Sequence, residues 1–89
     1  MADLQYASQE FTIAAGDTHS CLVSAPEGTV AIAGGFELQA YGMLVDASVP
    51  NLVGGQSQAS GWVVVIRNPL SSSAAATVWG VFMNTETER

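Results

Sequence analysis

The chain has no lysine. Its cations are Arg67 and Arg89 alone, set against eight Asp and Glu, and the net charge is −6. Nucleic-acid affinity comes chiefly from Lys and Arg on phosphates, so this balance argues against direct DNA or RNA binding. It argues equally against an anionic membrane surface. One cysteine, Cys21, rules out an internal disulfide, and one histidine beside it leaves no complete soft ligand set for a metal. No apolar run reaches the length of a membrane-spanning helix. The start, MADLQYASQE, lacks the basic head and apolar centre of a secretory signal, so a product made in the cytoplasm is expected.

Charge of either sign is scarce: 11% of residues are charged, against about a quarter in an average soluble domain. At 48% hydrophobic residues the chain is too apolar to be disordered. Its 89 residues make one domain with a thin core, burying about 60–65% of the unfolded surface. Surface without charge is covered by small polar residues or by a partner. The composition therefore points toward a subunit of something larger.

Helical periodicity is also missing, and alternation with period two takes its place. Strands are predicted over 10–15, 19–24, 29–38, 43–48, 61–68 and 76–84, separated by the turn-like AGDT, APEG, AYG, PNLVGGQSQAS and PLSSSA. Six short strands with turns about every ten residues imply an all-β fold, a compact antiparallel β-sandwich or small barrel. The expected layout is an N-terminal arm over 1–9, one β domain over 10–84 and a polar tail over 85–89. GWVVVIRN and ATVWGVFMN carry large residues on both faces. Strands apolar on both faces are covered on both, and in so short a chain the second cover is expected from another subunit.

The stretch TVAIAGGFELQAYG poses the sharpest chemical question. Gly34-Gly35 lacks the further glycines, the lysine and the following helix of a phosphate loop. Strand residues follow it instead, and a glycine inside a strand marks a bulge, a bend or the close approach of a bulky group. Without a bulge, Val30, Ile32, Gly34, Phe36 and Leu38 share one face, with Ala31, Ala33 and Gly35 behind. Gly34→Val is expected to impair folding or assembly rather than catalysis.

Other groups carry chemical potential. Asp17, His19 and Cys21 alternate, so on a strand they share a face. Together they span about 13 Å, too far for one ion. The readings of His19 and Cys21 are a nucleophile with its base, or an edge residue and a small buried hydrophobe. The second is preferred. The carboxylates Asp3, Glu10, Asp17, Glu27, Glu37 and Asp46 are scattered; a glycosidase pair stays open, against the plainer roles of turn chemistry and solubility. Trp62 and Trp79 could stack on sugars, but sit in apolar strands that suit a core or an interface. No catalytic, cofactor or metal residue is assigned.

Taken in order, Pro26, Gly28, Gly34, Gly35, Phe36, Ser48, Pro50, Gly61, Trp62, Val64 and Asn68 form a pattern. It resembles a small β-rich domain, often repeated, of bacterial secreted proteins and some phage virion proteins. That family's two cysteine positions fall here on Ala25 and Phe82, which suits a version assembled in the reducing cytoplasm. The resemblance implies a non-enzymatic virion protein. The leading expectation is a capsid decoration protein on the outer surface of a bacteriophage head, made in the host cytoplasm. It would bind the major capsid protein and form a homo-oligomer, a trimer first. The alternatives are a tail or head-fibre subunit, a carbohydrate- or surface-binding module, and a small enzyme using His19 and Cys21. Structural and interface candidates are Leu4, Tyr6, Phe11, Gly34, Gly35, Phe36, Trp62, Trp79 and Phe82, together with the 51–60 loop.

Overall fold

The computed structural model describes residues 4–52 and 59–84. Among these the chain is all-β: β1 (Leu4–Ile13), β2 (Thr18–Ser24), β3 (Thr29–Leu38), β4 (Leu44–Pro50), β5 (Gly61–Arg67) and β6 (Ala74–Asn84). The strands form two antiparallel three-stranded sheets, ordered β1-β6-β3 and β2-β5-β4. They make a β-sandwich, with the two most apolar strands at the sheet centres. A central strand is paired along both edges and packed on its inner face, and β5 and β6 are apolar on their outer faces as well.

Strand register sorts side chains into an inner and an outer set. On β6, Ala76, Val78, Gly80 and Phe82 face the second sheet and are buried. On the facing sheet Cys21, Val64 and Ile66 are fully buried, and Ile13 closes the end of the core. Each fully buried Val, Ile or Phe contributes about 1.5–3 kcal/mol relative to exposure.

Residues 4–9, expected as an arm, are the first part of β1. They continue the ladder to β6 without a break, from Leu4 opposite Met83 to Ile13 opposite Ala74. The reason is length: β6 runs eleven residues and pairs with a ten-residue neighbour on either side. The polar residues of LQYASQE hide this pairing in the sequence, because an edge strand need bury little. The tail over 85–89 and residues 53–58 of the 51–60 loop lie outside the described residues.

Two bulges interrupt the ladders. Ile32 is extra between Ala31 and Ala33 on β3, and Asp46 is extra between Val45 and Ala47 on β4. The first changes the expected parity. Ala31, Gly34, Phe36 and Leu38 share the inner row, opposite Phe82, Gly80, Val78 and Ala76. Val30 falls on the outer row, and Ile32 is turned out and about half exposed. The second bulge presents Asp46 to Arg67, with a 2.8 Å ion pair on the surface.

Asn68 ties one end of the sandwich together. Its side chain is fully buried. The Nδ2 group donates to the Ile13 carbonyl at 2.8 Å, to Ser72 O at 3.1 Å and to Ala14 O at 3.4 Å. Its Oδ1 accepts from the Leu70 N–H at 3.0 Å. Its backbone donates to Asp17 O and accepts from Gly16 N–H. One residue after β5 thus holds both the β1–β2 turn and the loop into β6. At the opposite turn, the Thr29 N–H and hydroxyl both donate to Pro26 O. Gly28 takes φ +84 there, a conformation that favours glycine.

Candidate functional site

The Gly34 position is a socket. Ala7, Gly80 and Gly34 form one inner row across the first sheet, so three small residues stand side by side. Trp62 of the second sheet fills the space: a Cβ built on Gly34 would meet its indole Cγ, Cδ1 and Cδ2. The Phe82 ring closes over Gly80 in the same way. The Trp62 Nε1–H donates to Ser48 Oγ at 2.9 Å, satisfying the one polar atom of the ring. Gly34, Ser48 and Trp62, far apart in sequence, are thus one packing unit. Gly35 serves the outer face, where the Trp79 ring lies directly over it.

The sequence-derived candidates separate into inner and outer sets. Phe82 is fully buried, and Phe11 is half-buried against the core with its ring 5.8 Å from His19. Trp62 packs against the core, while Phe36, on the inner row of an edge strand, keeps about a third of its surface. Leu4, Tyr6 and Trp79 are on the outer face of the first sheet. There Leu4–Met83–Val30 and Tyr6–Val81–Ala33 make two apolar rows, followed by Ser8–Trp79–Gly35. Tyr6 is 75% exposed.

The outer face of the second sheet is apolar too, a feature that the alternation of β5 alone only half reveals. Leu22–Val63–Val49 and Ser20–Val65–Ala47 run across its three strands. Leu22 and Val49 are exposed, and Val63 and Val65 are partly so. Both broad faces of the sandwich therefore present Val, Leu and aromatic surface, with charge confined to the ends of the rows. Glu10 and Glu37 flank Thr77 on one face, and Arg67 stands between Thr18 and Leu44 on the other.

The groups with chemical potential are not assembled. Cys21 is buried and its Sγ points to the His19 carbonyl at 3.8 Å, while the His19 ring lies toward Phe11. Burial pushes the Cys21 thiol above its ordinary pKa, the direction opposite to that of an activated nucleophile. Native protein is expected to react with a thiol reagent at least about tenfold more slowly than unfolded chain, measured by chromogenic thiol titration with and without denaturant. No group of three His, Cys, Asp or Glu side chains positioned for a metal ion occurs among the described residues. A shallow open depression of about 470 Å³ is lined by Leu38, Gln39, Ala40, Tyr41, Gly42 and Met43. That lining offers amide, phenol and apolar groups, and no carboxylate, imidazole or thiol.

Comparison with family models, with curated proteins and with solved structures gives no match for this chain.

Proposed function

We propose that the chain is a non-enzymatic structural subunit of a bacteriophage particle, a decoration protein that reinforces the outer surface of the head as a homo-oligomer bound to the major capsid protein. The observation that carries this reading is the apolar character of both broad faces of the sandwich. A monomer in water has no use for Leu22, Val49, Leu4 and Tyr6 in contiguous exposed rows. A cement between subunits does, because it gains its energy by removing such rows from water. The resemblance of its motif order to a domain of virion proteins suggests the setting. The acidic balance suits a protein that must not adhere to nucleic acid while it assembles.

Co-sedimentation with empty shells tests the reading. The expected result is saturable binding at many copies per shell, little affected by raising salt, since apolar burial rather than charge holds it. Absence of binding, or a few copies at one site as for a tail or fibre component, would overturn it.

A further inference from the structure

The four edge strands of the sandwich are not equally protected. β3 carries the Ile32 bulge, and β4 carries the Asp46 bulge and ends on Pro50. Bulges and prolines are the devices by which natural sheets stop an edge from recruiting another strand. The opposite side is formed by β1 and β2, and neither has a bulge, a proline or a lysine. β1 is the longer, ten residues in unbroken register, and among the described residues β6 is its single ladder partner. Every second residue of such a strand turns its N–H and C=O away from the sheet.

We infer that β1 is a self-association edge, which pairs antiparallel with β1 of a second copy about a two-fold axis to make one continuous six-stranded sheet. Facing residues must lie on the same side of the joined sheet, so the axis passes beside Ser8 or Gln9, the two positions of greatest overlap. With the axis at Ser8, Tyr6 faces Glu10 of the second copy; with the axis at Gln9, Ser8 does. In neither case does the single β1 carboxylate face its like. The Leu4 and Tyr6 rows of the two copies then lie on one shared outer face.

Ten residues span roughly 33 Å and the stacked sheets are about 10 Å apart, so this side buries roughly 330 Å² per copy, about 660 Å² in total, the size of a weak, reversible contact in which main-chain pairing along β1 rather than area supplies the affinity. A two-fold contact of this kind closes on itself as a dimer, in place of the three-fold ring expected from the sequence. The inference shares with the proposed function only the premise of self-association and needs no capsid.

The test is native mass spectrometry and light scattering on the full chain at up to about 100 µM, where even a ~10 µM dimer is mostly formed. Wild type is expected to be dimeric; Ser8→Lys sets like charges across the junction with the axis at Ser8, and Gln9→Lys does so with the axis at Gln9, so one of the two is expected to weaken the dimer about tenfold or more with an unchanged circular dichroism spectrum. Separately, Ser8→Cys or Gln9→Cys is expected to give a disulfide-linked dimer under mild oxidation, while Glu37→Cys on the bulged edge strand does not. A monomer throughout would overturn self-association itself. A trimer, or a dimer indifferent to both lysine variants and crosslinked by neither cysteine, would overturn the β1 edge while leaving the proposed function to its own shell-binding test.

Discussion

Gly34→Val is expected to yield no folded protein, and Gly34→Ala to lose about 3 kcal/mol of stability, the upper end of the cost of overpacking a core. A methyl group at residue 34 would overlap Cγ, Cδ1 and Cδ2 of the Trp62 indole. A flexible side chain could move aside, but an indole is rigid, and this one is held at its far side by the 2.9 Å bond to Ser48. The sign of the effect separates this account from its rival. If the ring could swing away, Gly34→Ala would be neutral or slightly stabilising, because alanine loses less backbone entropy on folding than glycine. Urea unfolding followed by circular dichroism measures the difference, and about 3 kcal/mol corresponds to a fall in Tm of roughly 12–24 °C for a domain of this size. Trp62→Leu empties the socket at its own cost, and Gly34→Ala should then do little further harm. Simple additivity of the two would refute the coupling.

The second large effect is expected at Asn68. Asn68→Ala removes a side chain that is fully buried and strands the Ile13 and Ser72 carbonyls and the Leu70 N–H. Each unsatisfied buried group costs about 1–3 kcal/mol, so a loss of about 3 kcal/mol or more is expected. Asn68→Asp should be worse at neutral pH, because it replaces a donor by a negative oxygen facing three carbonyls. Burial and those carbonyls raise the folded-state pKa of the introduced acid above its unfolded value, so the folded state holds the proton more tightly. The variant should therefore regain stability as pH falls toward about 4 and lose it as pH rises, relative to wild type. A pH-independent difference between Asn68→Asp and wild type would show that residue 68 is not buried among carbonyls.

Much of this architecture was legible before any coordinates. Alternation located five of the six strands, because residues such as Val64, Ile66, Val78 and Phe82 sit at strict period two and are the most deeply buried, but of β1 it found only residues 10–13 and left the rest as an arm. The gap at Gly34 was legible as room for a bulky group. What filled it was not: Trp62 is 28 positions further on and in the other sheet, and register between distant strands leaves no mark on either strand alone. The Ile32 bulge was hidden for the same reason, since it exists only relative to β6. It moved Val30 to the outer face and left Phe36 on the inner row. Asn68 stood in the motif pattern with no role attached, because its work is to hold backbone groups that the sequence does not distinguish. The outer apolar face of the second sheet was half visible in the alternation of β5, but needed Leu22 and Val49 brought beside Val63 to become a surface.

The pairing order has a consequence for how the chain comes into being. β1 and β3 pair with β6, and β2 and β4 pair with β5; no ladder joins any two of the first four strands. During synthesis, then, β1 to β4 emerge with no ladder partner among themselves in the described residues, and the first sheet must wait for β6. Folding waits for β5 and β6, two apolar strands that arrive in succession and gather the other four. Such non-local closure is slow, and until it occurs every edge in the molecule is open to its neighbours on the same polysome.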